Sequence, residues 1–167
     1  MKANILLLLC VSVAVVAWRQ PQPQKRYHYF AYGSNVVPEA MTSLRGLKPL
    51  NASAAVLPNY RLRFNIRGVP MVEPSAASVE PANNQNVHGV LYQLTEADFA
   101  KVGSTEGVPW TYRWQRCEVY PYIGDGLAAG QQAMAISQPV PAYTLIAPGF
   151  SKDEDIPPSS SYHGLIV

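Results

Sequence analysis

The 167-residue sequence predicts an α+β fold, a small mixed and mostly antiparallel β-barrel with flanking helices. Three observations predict it: candidate strands outnumber candidate helices, no regular strand–helix alternation appears, and fifteen prolines and ten tyrosines favour short strands and loops over long helices. The length suits one domain with a sizeable core. With 48% hydrophobic and 14% charged residues the chain is an ordinary globular sequence rather than a disordered one. A net charge of +2, with no basic run beyond Lys25–Arg26, argues against a nucleic-acid partner.

Met1–Lys2 starts positive and Ala3–Trp18 carries no charge. Residues 1–18 therefore read as a signal peptide, cut after Ala17 with Val15 and Ala17 at the two critical positions, or as a short membrane anchor. The first reading places the protein in the secretory pathway or outside the cell. The second makes it single-pass, with the membrane reached only through the uncleaved leader. Residues 19–26, with their Pro-Gln alternation, are a polar linker. A cut chain keeps only Cys117, which reads as a small buried hydrophobe and leaves no internal disulfide. Asn51-Ala52-Ser53 is a glycosylation triplet, meaningful only in a eukaryotic secretory path.

The domain follows. Tyr27–Tyr32 is an aromatic strand ending at Gly33. Asn35 is placed to cap a short helix with Pro38 and Glu39 in its first turn and Gly46 beyond its end. Tyr60–Ile66 alternates apolar and polar residues as a half-wet strand does, and Val87–Leu94 is a more continuously apolar strand. Thr95-Glu96-Ala97-Asp98 resembles a capping box opening a helix to about Val102, with Gly103 placed to end it. A polar turn carrying Glu106 precedes the longest strand, Tyr112–Tyr122. Gly124-Asp125-Gly126 is then a natural turn before Gln132–Ser137 pairs back, and Pro139–Ser161 is loop-rich.

Two features carry chemistry. The strand Tyr29-Phe30-Ala31-Tyr32 delivers Gly33-Ser34-Asn35 to its own end, where a glycine with positive φ and successive N–H groups suit a carboxylate. The same residues also read as a plain strand–turn–helix corner. Glu106 beside Gly107 reads either as a solvated turn residue or as a carboxylate pointing into a barrel mouth. His28, His88 and His163 are scattered and show no ligand spacing, so neither a metal site nor a cofactor is expected. Ser34 lies outside any GxSxG elbow.

The run Phe30–Asn35, followed by a proline, an acidic residue and Arg45, resembles the opening of the γ-glutamyl cyclotransferase-like family. Val87–Tyr92, then a helix, then Glu106-Gly107 and a tyrosine a few residues on, is similar to that family's catalytic segment in order and spacing. Ala142-Tyr143, ahead of Pro157-Pro158-Ser159 and Tyr162, is a third match. The resemblance covers residues 27–167.

It implies an enzyme that cyclises a γ-glutamyl amide to 5-oxoproline, with Glu106 as its one general acid and base. It further implies that Tyr29, Phe30, Ala31, Tyr32, Gly33, Ser34, Asn35 and Tyr143 contact the glutamyl group, and that the partner is a small γ-glutamyl molecule. Such a reaction suits a single carboxylate, because the α-amine of the substrate is already an intramolecular nucleophile and only proton transfers remain. Two other readings share the scaffold: a catalytically idle binding module, and removal of a γ-glutamyl protecting group in small-molecule biosynthesis. The leaving amine stays open among an amino acid, cysteinyl-glycine and an alkyl amine. Members usually continue past Val167 into a further helix, so the domain is either C-terminally truncated or covered in another way.

Overall fold

The computed structural model describes residues 24–124, 127–147 and 154–164; the leader at residues 1–18 lies outside them. Five strands close into a barrel in the order β1 (Arg26–Ala31), β3 (Glu73–Thr95), β2 (Asn51–Val69), β4 (Arg113–Pro121) and β5 (Val140–Ile146). All neighbours are antiparallel except β1 and β5, which pair parallel at Tyr29 and Tyr143 and close the barrel. The predicted mixed, mostly antiparallel barrel is therefore what the chain forms.

Side-chain alternation sorts the apolar residues into two layers. Phe30, Leu57, Val87, Leu91, Val119 and Ala142 come from all five strands and fill the lumen. Tyr29, Ala31, Leu94 and Leu145 point the other way and are covered by Met41, Leu47 and Val102. Val102 belongs to α1 (Glu96–Thr105), and Met41 to a π-helical turn over Ala40–Leu44 that follows a 3-10 turn at Gly33–Val36. Among the described residues, no helix is long and apolar enough to cross a membrane.

Several elements depart from the sequence expectation. β2 and β3 are far longer than Tyr60–Ile66 and Val87–Leu94, because pairing in a hairpin orders Ala-, Ser- and Asn-rich stretches of low strand propensity. Their register breaks between Pro58 and Tyr60, where Asn59 and Asn84 both take φ 59°. Beyond the break, among the described strands, the hairpin's two strands pair with each other alone, and they fold Ala77 and Val79 into the lumen cluster. Asn35 lies inside the 3-10 turn rather than capping a helix. Thr95 does cap α1, its hydroxyl accepting from the Asp98 N–H at 3.1 Å, but Gly103 is an internal helical residue packed on Trp114.

Residues 132–136 belong to α2 (Leu127–Ile136) instead of a strand, in keeping with a run of Ala, Gln, Met and Leu. The strand that follows β4 and pairs back on it is β5, where Pro141 masks a strand of Val, Tyr, Thr and Ile by sitting near its start.

The chain then returns as a strap over residues 154–164, ending in the short α3 (Ser160–His163). Asp155 binds Arg63 and the Phe64 N–H. The Ser75 hydroxyl donates to the Ile156 carbonyl, and the Glu73 carboxylate accepts from both the N–H and the hydroxyl of Ser159. Tyr162 is thereby laid edge-on against Phe64, over the end of the barrel.

Candidate active site

β1 ends where Gly33 takes φ +62°, a conformation that L side chains avoid. A Cβ there would lie 2.7 Å from the Tyr162 hydroxyl and 3.1 Å from Ala77, so the turn backbone is closely covered as well as left-handed. Two residues later Asn35 is 5% exposed and turns its amide inward. Its Nδ2 donates to the Tyr29 hydroxyl at 2.9 Å and to Glu106 Oε1 at 3.0 Å, and its Oδ1 accepts from Arg45 Nη2 at 2.9 Å. Arg45 Nη2 also forms a short ion pair with Glu106 Oε1.

Glu106 reaches this cluster through the way α1 stops. Gly107 takes φ +69°, its N–H bonds the Ser104 carbonyl at 3.3 Å, and the Val108 N–H reaches back to the Gly103 carbonyl at 2.9 Å. That pair of bonds is the Schellman ending, which satisfies carbonyls the helix leaves open and makes Glu106 the C-cap. A carboxylate here faces the negative end of the helix dipole, an unfavourable place unless a cation accompanies it. Arg45 is that cation.

Tyr29, Asn35 and Glu106 form one wall of a small cavity lined also by Tyr32, Ser34, Ala77, Tyr112, Leu145 and Tyr162, with about 20 Å³ of free space, enough for a single water. Tyr32 donates to the Leu145 carbonyl at 2.5 Å and Tyr112 to the Ala77 carbonyl at 2.8 Å. The Ser34 N–H points at the Tyr162 oxygen, 3.4 Å away. Burial raises the Tyr29 phenol well above its ordinary value, and the Glu106 carboxylate adds to the shift; Tyr112 is raised by the same two causes. Both are neutral hydroxyls at physiological pH. Tyr29 accepts from Asn35 and keeps its own hydrogen to give.

Of the residues singled out from sequence, the structure brings Tyr29, Tyr32, Ser34, Asn35 and Glu106 to this cavity, and Gly33 to the turn that shapes it. Phe30 and Ala31 are fully buried in the two apolar layers. Tyr143 is not brought there: its ring lies in an outer aromatic group with Tyr27, Phe99 and Trp114, and its hydroxyl accepts from Arg116 Nε at 3.2 Å. Leu145, two residues on and on the same face of β5, does line the cavity, so the face is right and the level along the strand is not: Tyr143 lies further from the cavity, against Phe99 and Trp114. Tyr112 and Tyr162 were legible as motif letters but not as wall residues, and Arg45 not as the partner of Glu106 and Asn35. Cys117 is partly buried, its thiol pushed up to about 12 by burial, which removes it as a nucleophile. Among the described residues no group of His, Cys, Asp and Glu is arranged to hold a metal.

A family model described as "Gamma-glutamyl cyclotransferase, AIG2-like" matches residues 29–163. The chain is 32% identical over 136 residues to the gamma-glutamyl cyclotransferase gliK of Aspergillus fumigatus, covering 71% of this chain and 45% of that one. It is 29% identical over 137 residues to the gamma-glutamyl cyclotransferase verK of Clonostachys rogersoniana, covering 72% and 70%. The match thus spans under half the length of the gliK relative and most of verK.

Among solved structures, a gamma-glutamyl cyclotransferase superposes with TM-score 0.64 at 20% identity over 85% of this chain and 76% of its own. YkqA from Bacillus subtilis gives 0.63 at 23% identity over 86% and 47%. These two establish the barrel, and the sequence matches go further. A family match over most of the chain, with its Gly-Ser-Asn turn and its Glu-Gly helix end meeting at one cavity, leads to a plain conclusion: the chain belongs to the AIG2-like gamma-glutamyl cyclotransferase family.

Proposed function

We propose that this chain is a γ-glutamyl cyclotransferase, releasing 5-oxoproline from a γ-glutamyl amide by attack of the α-amine on its own γ-carbonyl, with Glu106 as general acid and base. The observation that carries the reading is the position of Glu106, a carboxylate at a helix end, facing a cavity walled by neutral tyrosine hydroxyls and the Gly33 turn. Glu106 takes a proton from the substrate ammonium and returns it to the departing amine. The Tyr29 hydroxyl, whose hydrogen is not used by Asn35, supplies a donor for the tetrahedral oxyanion, and the Ser34 N–H a second. A glutamyl group exceeds the free space present, so its entry displaces Tyr162 from the turn.

The test is 5-oxoproline release from a panel of γ-glutamyl dipeptides, γ-glutamyl-cysteinyl-glycine and γ-glutamyl alkyl amides, with Glu106→Gln alongside. Release by the wild type and a kcat lower by about 10²–10⁴-fold in the variant, with binding kept, is the expected result. Equal rates in the two proteins would remove Glu106 from the chemistry. Binding without release from any compound would make the chain a binding module.

A further inference from the structure

We infer that Arg45 is a positioning residue for Glu106: together with Asn35 it occupies Oε1, so that both proton transfers pass through Oε2. The inference rests on the proposed cyclotransferase reading and says how its carboxylate is held.

Oε1 receives two donors, Arg45 Nη2 and Asn35 Nδ2, the latter at 3.0 Å. Neither group can accept a hydrogen bond, so a proton on Oε1 would face two N–H groups. Oε2 accepts a hydrogen bond from none of the described residues, and a proton placed there meets no such opposition. Arg45 also sets the orientation of Asn35. Because Nη2 donates to Asn35 Oδ1 at 2.9 Å, the amide must present Nδ2 to Glu106 and to Tyr29 at 2.9 Å. One guanidinium nitrogen thereby fixes the carboxylate, the amide and, through the amide, the Tyr29 hydroxyl.

Two observations speak against a purely stabilising role for the pair. Glu106 caps the negative end of α1, and Arg45 Nε is buried with no hydrogen-bond partner among the described residues, a desolvated donor that folding alone would not favour.

The reaction requires a carrier that gives back what it takes. The attacking nitrogen goes from ammonium to lactam N–H and loses two protons, while the amide nitrogen that leaves as an ammonium gains two. The C–N bond to the new ring forms as the bond to the leaving nitrogen breaks. A carboxylate that accepts one proton on Oε2 and returns it, twice, ends unchanged. Rotation that offered Oε1 instead would strand the proton against Arg45.

The experiment measures kcat and KM with the best γ-glutamyl dipeptide, following 5-oxoproline release, for full-length wild type, Arg45→Met and Arg45→Lys. With Arg45→Met, kcat is expected to fall about 10²-fold while KM stays within about threefold, since a misplaced catalytic group costs rate more than binding. Arg45→Lys should keep the charge but reach Oε1 and Asn35 less well, and lose about tenfold in kcat. Partial recovery of Arg45→Met by millimolar guanidinium, with none from sodium at equal ionic strength, completes the expectation. Unchanged kcat in any folded variant overturns the inference, as does a loss confined to KM. If Arg45→Met does not fold, Arg45→Lys alone decides. If the wild type releases nothing, the cyclotransferase reading falls and this inference with it, whereas wild-type release with an undiminished variant sinks only the role of Arg45.

Discussion

Two groups of ion pairs occupy opposite kinds of ground in this molecule. Arg45 and Glu106 meet with side chains only 21% and 14% exposed, at a helix end that disfavours a carboxylate. Arg61, Arg63, Glu80 and Asp155 meet on the outer face of the β2–β3 hairpin, where Arg61 is 45% and Asp155 54% exposed, although Arg63 is only 12%, and none of the four caps a helix among the described residues. The outer group ties the strap to the hairpin and suits its setting. The inner one is poorly placed for stability, because a partly buried pair gives up hydration that attraction only partly repays. If Glu106 acts as proposed, charge in this protein has two separable uses, and removing each should be felt in a different measurement.

The largest effect tests that separation directly. Glu106→Gln should lower turnover by about 10²–10⁴-fold yet cost less in stability than the roughly 3–5 kcal/mol of breaking a fully buried pair, because Gln still accepts from Arg45 and the charge at the helix end is relieved. Thermal or urea unfolding beside the 5-oxoproline assay checks it, and a collapse of stability would merge the two uses. Next comes the turn at Gly33. Gly33→Val places a β-branched residue at φ +62° and against the Tyr162 hydroxyl. We expect a cost of about 1–3 kcal/mol in stability and loss of measurable substrate binding by calorimetric titration of the folded variant; unaltered affinity would make the turn merely structural.

Smaller still is the outer network. Burial pushes the Glu80 carboxyl up, but hydrogen bonds from Arg61 and Arg63 outweigh it and hold the group below its ordinary value of 4.5. The folded value lies below the unfolded one, so the pairs stabilise above about pH 4.5 and that contribution is lost as the pH falls further. Glu80→Gln should cost under ~1 kcal/mol at pH 7, with the gap to wild type closing toward pH 3 and in high salt. The smallest effect is expected of Tyr143→Phe, which removes a hydroxyl bonded to Arg116 outside the cavity. Its kcat should stay within about twofold of wild type; a tenfold loss would mean that the outer aromatic group is coupled to the site.

What the sequence made legible was local or motif-borne. Gly33 could be read as left-handed because a strand ends abruptly there, and Thr95 as a cap because Asp98 follows three residues on. β1 and β4 were legible from their own aromatic and alternating residues. The long hairpin was not, since Asn51–Pro58 and Glu73–Asn86 hold strand geometry through pairing across the hairpin rather than through their side chains. Nor was α2, whose apolar residues imitate a short strand when read six at a time. At the site, Glu106 and Asn35 stood out as letters, but nothing in either neighbourhood announces that Arg45 lies between them. That contact joins residues 61 apart and exists only because α1 and the π turn pack against the same face of β1 and β3.

The seam between β1 and β5 gives this chain an order in time. Thr144 hydroxyl donates to the Phe30 carbonyl across 114 residues of sequence, at 3.0 Å, whereas the β2–β3 hairpin folds on itself around a short turn. Closing so long a loop costs entropy before any contact returns it, so pairing that depends on the seam comes late. Residues 24–121 supply Glu106, Arg45 and Asn35 and four of the five strands. They lack Leu145 and Tyr162, two walls of the cavity. Glu106 and its two partners thus all come from the stretch that needs no seam, and the chamber around them is closed by residues on the far side of it.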